Sequence, residues 1–249
     1  MSSVFVDSRW VGGAKRAAAW LMSGWVPASL PPTGDRRTGF ERPSIERIRN
    51  LIGWRRSQSL VGRRYGQRGL RVGMAGEPEP GLTALEAHDG RRLVGTLSVR
   101  MDGPDGLAAD ATFPEELLRL RAKGRRLCEF TRLALEPNQQ SKPALAGLFH
   151  MAHLLAHRVK GADLLVMEVH PRHAPFYRRM LGAKRLELGE NASVEAPSVL
   201  MCLDLAFAQD QIRKFGGRPE LGDEVRSFYP FFHAPSEEPL LIERLRAEV

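Results

Sequence analysis

A strand, a helix and a second strand follow one another in the middle of this chain, and this unit constrains the fold most. Residues 163–169 form an almost unbroken apolar run, which is typical of a strand buried on both faces. Residues 127–135 form another strand-like segment, and residues 143–160 between the two have helical spacing that ends at Gly161. Because a helical connection places two strands side by side and parallel, the unit predicts an α/β sheet.

The flanking segments extend this sheet. Residues 81–101 predict a hairpin that turns at His88-Asp89-Gly90, and residues 113–122 predict a short helix. The order from residue 81 is strand, strand, helix, strand, helix, strand, helix, strand, strand. Each strand–helix–strand unit implies parallel pairing, and the first and last pairs imply antiparallel edges. Ahead of the hairpin, an amphipathic helix is expected to begin at Ser44 and to run past Ile52.

Composition divides the chain into three parts. Residues 1–40 are predicted to form a flexible basic tail, residues 41–205 the α/β domain, and residues 206–249 a helical extension packed on it. Residues 1–72 carry 14 Arg and Lys against 4 Asp and Glu, a balance of +10, whereas the rest carries 23 against 25, a balance of −2. A basic excess fits an acidic protein, a nucleic acid or an anionic membrane surface. We expect the acidic protein and no nucleic acid, and weak association with a membrane surface is an alternative.

Several function classes lose support because their patterns are missing. The sequence has no phosphate-binding loop of the G-x-x-x-x-G-K-S/T type, no G-x-S-x-G and no H-E-x-x-H. No apolar run reaches the roughly 18 residues that a membrane span requires. Cys128 and Cys202 lie in apolar strand-like runs, where reduced buried thiols are usual. A reducing, cytoplasmic location is expected.

Charged residues interrupt the strand at 127–135. In a regular strand Glu129 and Thr131 point to one face, and Phe130 and Arg132 point to the other. A charge in a buried strand costs free energy unless it is paired or functional, so this strand carries either a structural ion pair or part of a site. Glu129 and Arg132 share one face only if a bulge interrupts the alternation.

A further group of candidate residues follows the buried strand at 163–169. Glu168 and His170 lie on one face of that strand, which stops at Pro171, and a short helix then carries Phe176 and Tyr177. Ligands in open α/β sheets gather at the carboxyl ends of strands. The junction is therefore a candidate binding site, although Phe176 also fits simple core packing and Tyr177 a surface or capping hydroxyl.

Three histidines, His150, His153 and His157, lie along one stripe of the helix at 143–160. A metal site usually adds a carboxylate or thiolate, and this helix contains neither. We therefore expect a solvated or interface face and no metal.

Taken together, these residues resemble the GNAT N-acyltransferase fold, a mixed central sheet flanked by helices. Glu129-Phe130-Thr131-Arg132-Leu133 is similar to the E-x-S-R-F/L strand of acyl-homoserine-lactone (autoinducer) synthases, with Thr131 in place of the usual Ser. Over residues 41–249 the chain is closer still to FeeM-type N-acyl amino acid synthases. The matching pieces are Phe113–Glu116, Gly124–Glu129, Pro171–His173, Phe176-Tyr177 and Arg226–Phe232. His170 stands where many relatives have Asn.

The resemblance implies acyl transfer from a thioester to an amine. Glu129 would remove the amine proton, a backbone N–H of the 129–133 strand would hold the oxyanion, and Tyr177 would protonate the leaving thiolate. An acceptor carboxylate would be bound by Arg132 and Arg100, with Arg172 as a weaker candidate. The other expected substrate-binding residues are Thr131, Glu168, His173 and Phe176.

The resemblance also indicates the donor. Acetyl-CoA-dependent relatives hold the pyrophosphate in an R/Q-x-x-G-x-G/A loop, but the matching residues 136–143 contain no glycine. An acyl-phosphopantetheine thioester on an acidic acyl carrier protein needs no such loop, and the basic N-terminal region suits that protein. The expected reaction joins a long-chain acyl group to an amino acid or similar small amine, without a permanently bound cofactor. The alternatives are an acetyl-CoA-dependent N-acetyltransferase and a non-catalytic module that binds an acyl ligand.

Overall fold

A seven-stranded mixed sheet with the order β1-β2-β3-β4-β5-β7-β6 forms the centre of the protein. The computed structural model describes residues 42–67, 76–137, 141–191 and 196–247, so the predicted tail at 1–40 lies outside the described residues. The strands are β1 (Ser44–Arg47), β2 (Leu82–Asp89), β3 (Arg92–Met101), β4 (Leu127–Leu135), β5 (Leu164–Val169), β6 (Lys184–Asn191) and β7 (Ala196–Asp204). The helices are α1 (Leu51–Gly66), α2 (Pro114–Ala122), α3 (Ser141–His153), α4 (Ala174–Leu181), α5 (Leu205–Phe215), α6 (Gly222–Val225) and α7 (Glu238–Ala247).

The helix α3 continues into a π-helical turn at Leu154–Val159, and it connects β4 to β5, which pair in parallel as predicted. The predicted parallel pairing is wrong for β3 and β4, which are antiparallel, with Met101 opposite Cys128. The reason is that the connection through the short α2 returns to the same end of the sheet. Parallel pairing was also wrong for β5 and β6, because β7 lies between them and pairs antiparallel with both.

The chain enters the sheet through a strand where a helix was predicted. Residues 44–47 pair with β2, and Ile45 is buried in the main apolar cluster. The helix begins only after Asn50, whose side chain accepts a hydrogen bond from Gly53 N at 2.8 Å and so caps the first turn. From there α1 runs without interruption to Gly66.

The two faces of the sheet are covered by different layers. Cys128, Phe130 and Leu133 of β4 belong to the largest apolar cluster. That cluster also contains residues of α3, of α4 and of the aromatic C-terminal segment, residues 228–232. On the opposite face, Leu127 packs with α2 and Ala134 packs with α1. Within the described residues, no helix combines the length and the apolar character needed to cross a membrane.

The histidine stripe of α3 faces the C-terminal segment rather than solvent. His150 and His153 are buried. His150 Nδ1 accepts a hydrogen bond from His233 N at 3.0 Å, and His153 Nε2 lies 3.0 Å from the side-chain oxygen of Gln209 in α5. Burial lowers the pKa of both imidazoles, against the effect of Glu238 on His150, and the pKa of His153 falls to about 3, so His153 is neutral near neutral pH. The structure thus favours the interface interpretation over a solvated face.

Candidate active site

Glu129 is a buried carboxyl group on the face of the sheet that α1 and α2 cover. Only 1% of the residue is exposed, and its side chain accepts a hydrogen bond from Ala108 N at 2.7 Å. Burial raises its pKa to about 8, against the opposing effect of the Ala108 N–H, and the neighbouring carboxylate of Glu168 raises it further. Near neutral pH this carboxyl group can therefore exchange a proton instead of remaining ionised.

A bulge in β4 places Arg132 on the same face as Glu129. Thr96 of β3 lies opposite Ala134, and Ser98 lies opposite Thr131, so one residue of β3 faces two residues of β4. Arg132 sits in this bulge with φ of 53°, in the left-handed region. The condition that the sequence set for a shared face is thus met.

The buried Arg132 and the partly buried Arg100 meet on a single carboxylate. Arg132 Nη2 binds one oxygen of Glu79, and Arg100 Nη2 binds the other. Arg100 is the cross-strand neighbour of Glu129, which brings the arginine pair next to the buried acid. The guanidinium of Arg132 also lies 5.1 Å from the centre of the Trp54 ring. Burial lowers the pKa of Arg132, and Glu79 opposes that effect.

The parallel strands β4 and β5 separate directly after Glu129. They pair only at Leu127 with Leu164, Cys128 with Leu165 and Glu129 with Val166, and both strands then continue. Beyond this point β5 pairs only with β7. We call the place after Glu129, where the two strands continue without pairing with each other, the gap between β4 and β5.

The candidate residues after β5 divide between the two faces. Glu168 is buried near Glu129, and Thr131 is buried beside it on β4. Tyr177 is fully buried in the apolar cluster on the α3 face, where its ring meets Phe176 edge-on at 5.2 Å. The side chains of Tyr177 and Glu129 thus lie on opposite sides of the sheet, and the gap between β4 and β5 is the direct route between them.

Arg172 and His173 lie at the turn between β5 and α4. Arg172 is exposed, and its Nε contacts the buried His173 Nε2 at 3.1 Å. Arg172 is therefore not brought to the arginine pair. The predicted contact residue Phe176 is partly buried and packs against Phe228 of the C-terminal segment at 5.7 Å between ring centres.

The aromatic C-terminal segment closes the α3 face tightly. Phe228, Tyr229 and Phe232 are buried there. Tyr229 and Phe232 help to line an apolar cavity of about 10 Å³, which has room for roughly one water molecule. An acyl chain would therefore have to move these side chains or enter elsewhere. No group of three side chains suited to a metal ion occurs in the described ranges.

Three members of the site were not found from the sequence. Glu79 lies between two prolines in a segment without periodicity, and Trp54 lies on a helix whose facing partner was unknown. Ala108 contributes a backbone N–H, which no side-chain pattern reveals. Residues 138–140 of the glycine-free loop at 136–143 lie outside the described residues.

A mixed sheet whose parallel strands β4 and β5 stop pairing beside a buried acid has the GNAT-like fold. The family described as "N-acyl amino acid synthase FeeM" matches residues 56–204, so the chain belongs to that family, and N-acyltransferase activity follows. The solved structure of FeeM, an N-acyl amino acid synthase from uncultured soil microbes, is similar, with a TM-score of 0.61 and 24% identity over 68% of this chain and 94% of that chain.

Two solved structures of N-acetyltransferases have lower TM-scores. An N-acetyltransferase from Staphylococcus aureus Mu50 has a TM-score of 0.49 and 10% identity over 67% of this chain and 99% of that chain. The aminoglycoside 6'-N-acetyltransferase from Enterococcus faecium has a TM-score of 0.46 and 15% identity over 65% and 97%. No curated protein sequence matches the chain.

Proposed function

We propose that this protein transfers a long-chain acyl group from the phosphopantetheine thioester of an acyl carrier protein to the amino group of an amino acid. The observation that carries the proposal is the placement of a buried acid, Glu129, beside the buried Arg132 and the partly buried Arg100 on one face of the sheet. An amino acid offers the two complementary groups, an amine that must lose a proton and a carboxylate that an arginine pair binds.

The reaction forms a C–N bond and breaks a C–S bond. Glu129, directly or through a water molecule, takes one proton from the amine, and a pKa of about 8 suits this exchange near neutral pH. The amine nitrogen attacks the thioester carbonyl carbon, and a backbone N–H of residues 129–133 stabilises the oxyanion. The oxyanion collapses, the C–S bond breaks, and Tyr177 gives one proton to the leaving thiolate. Transfer of the proton held by Glu129 to Tyr177 through solvent then restores both groups. The thioester is a substrate, and no resident cofactor enters the scheme.

The gap beyond Glu129 supports this arrangement. Because β4 and β5 no longer pair after Val166, backbone groups there are available to a thin pantetheine arm that inserts between the strands. A thioester in the gap would have the amine and Glu129 on one side and Tyr177 on the other. The negative charge of Glu168 raises the pKa of Glu129 and so helps Glu129 to retain the proton that it takes from the amine.

The charge of β1 and α1 supports a protein-bound donor. Residues 42–67 contain seven arginines and one glutamate. A surface groove of about 460 Å³ between β1, α1 and α7 is lined by four arginines and two glutamates, a balance of +2: Arg47, Arg49, Arg56, Arg244, Glu46 and Glu86. A basic surface of this kind accelerates encounter with an acidic protein and makes it sensitive to salt.

The direct test supplies the purified protein with one amine pool and three donors, namely a long-chain acyl carrier protein, the matching acyl-CoA and acetyl-CoA. Mass spectrometry of the products should show long-chain N-acyl amino acids from the carrier protein. Turnover of acetyl-CoA without carrier protein would overturn the donor assignment. Absence of any acyl amide from all three donors would favour a non-catalytic acyl-binding module instead.

Variants test the assigned roles. Glu129→Gln should lower kcat/KM about 10²- to 10⁴-fold, the usual contribution of a general base, and should remove the rise in rate through pH of about 8. Tyr177→Phe should lower kcat, and a better leaving thiol should restore part of the loss. Glu115→Gln, at an exposed position on α2, is the matched control. Unchanged product formation in the first two variants would show that the roles are wrong.

A further inference from the structure

Glu79 neutralises only part of the charge in the proposed acceptor site. Arg100 and Arg132 each bind one oxygen of its carboxylate, and the side chains of all three residues are at most 17% exposed. Two guanidinium groups with one carboxylate carry a net charge of +1. Glu129 does not cancel it below pH of about 8, since that group is then mostly protonated.

Two of the three nearby acids are engaged elsewhere, and the third, Glu168, acts on Glu129 and is not among the groups that act most strongly on Arg132. Asp102 and Asp110 both form hydrogen-bonded ion pairs with Arg121, at 2.6 to 2.8 Å. Of the charged groups around Arg132, Glu79 acts on it most strongly, followed by Arg100. Arg100, Arg132 and Glu79 thus carry +1 as a group, and Arg121 with its two aspartates carries −1 as a separate group.

The arginine pair also has donors to spare. Arg132 Nη1 and Arg100 Nε are buried and have no hydrogen-bond partner among the described residues, and Arg132 is only 2% exposed. Buried arginine donors are rarely left unsatisfied, because an unmade bond to a charged group costs more than to a neutral one. One further carboxylate would satisfy these donors and bring the net charge to zero.

We propose that Glu79 determines the charge specificity of the acceptor site, so that the site accepts an amine with one carboxylate and discriminates against one with two. This inference rests on the proposed function. Glu79 stays in place as a permanent counter-ion that holds both guanidinium groups. An acceptor with a second carboxylate would bring an excess buried negative charge, which is costly when it has no partner.

Glutamine and glutamate as acceptors test the idea, because their side chains have nearly the same shape and differ in charge. Two measurements on the full chain are compared, kcat/KM for the two amino acids and the calorimetric affinity for N-dodecanoyl-glutamine and N-dodecanoyl-glutamate. The wild type should prefer the glutamine compounds by about tenfold or more. Glu79→Gln raises the net charge to +2 and should shrink that preference by about tenfold, which corresponds to about 1.4 kcal/mol.

Three control variants separate charge from packing. Glu79→Asp retains the charge and should retain the preference, and Glu77→Gln, exposed and two residues away, should leave it unchanged. Arg100→Gln lowers the net charge to zero and should enlarge the preference against glutamate. Opposite shifts at Glu79 and Arg100 would not result from loosened packing, and should Glu79→Gln fail to fold, the direction of the Arg100→Gln shift decides.

The outcomes distinguish this inference from the proposed function. An unchanged ratio in folded Glu79→Gln, or an Arg100→Gln ratio that stays or moves toward glutamate, refutes the charge role while amide formation by the wild type still stands. Absence of amide formation by the wild type refutes the proposed function and with it this inference.

Discussion

Replacement of Glu129 by glutamine should change the pH dependence of stability in a way that needs no knowledge of the substrate. Glutamine has nearly the same size and retains an oxygen that accepts the hydrogen bond from Ala108 N, 2.7 Å away in the wild type. It removes the ionisable group from a position that is 1% exposed. The variant therefore isolates the cost of ionising a buried carboxyl group.

The expected size follows from the two pKa values. The pKa of Glu129 rises from an ordinary value of 4.5 to about 8 in the folded protein. Between these values the folded state retains a proton that the unfolded state has lost, so the free energy of unfolding falls as pH rises. The full stabilisation is present below pH 4.5 and is lost by pH of about 8. At 1.36 kcal/mol per pKa unit, the loss is roughly 5 kcal/mol.

Urea denaturation at pH 5 and at pH 8.5 measures this difference. Other groups titrate in the same range, so the informative quantity is the difference in free energy of unfolding between wild type and Glu129→Gln at each pH. Relative to pH 5, the difference in free energy of unfolding should shift by several kcal/mol in favour of the variant at pH 8.5. Glu115→Gln, whose side chain is 84% exposed, should show no shift. A difference that is the same at both pH values would refute the raised pKa of the buried carboxyl group, on which the base assignment depends.

The remaining predictions concern the C-terminal cover and the turns. His153→Gln should make the free energy of unfolding less sensitive to acid. The wild-type imidazole, whose pKa falls from 6.5 to about 3 in the folded protein, stabilises the fold fully above pH 6.5, and roughly 2 kcal/mol of that stabilisation is lost by pH 5. Urea titrations at several pH values measure this change. Tyr229→Phe removes a buried hydroxyl that donates to a carbonyl of α4 at 2.6 Å, and should lower the free energy of unfolding by about 1 to 3 kcal/mol. Gly217→Ala and Gly124→Ala both force alanine to a φ near +75°, but only the first brings a methyl group 2.8 Å from the Ala234 Cα. Thermal unfolding should therefore show the first variant to be less stable by about 1 kcal/mol or more.

Much of the central fold was readable from local pattern. The bounds of β4 were predicted as the structure has them, and the hairpin β2–β3 and the parallel pair β4–β5 were found because periodicity and connection length are local properties. The N-terminal element failed for a physical reason. Ile45 and Ile48 fit a helical spacing equally well, and only the presence of β2 as a hydrogen-bonding partner makes residues 44–47 a strand.

The candidate site was only half readable. Glu129 and Arg132 stood out because charges are costly in a buried strand, and that signal needs no partner to be known. Glu79 is 53 residues away from Arg132 along the chain and lies outside any periodic segment, so nothing local connects the two. Its role depends on charge neutralisation across the fold, which a single sequence does not display.

The bulge at Arg132 explains how one strand supports both an apolar core and a charged site. With regular alternation, Arg132 would enter the apolar cluster beside Phe130, and Leu133 would turn away from that cluster. One additional residue opposite Leu97 sends Phe130 and Leu133 to the α3 face and turns Arg132 toward Trp54 and Glu79. The positive φ of Arg132 costs on the order of 1 kcal/mol, which is small beside a buried unpaired guanidinium. A strand of regular pleat cannot satisfy both demands, so this local strain is the consequence of placing the arginine beside Glu129.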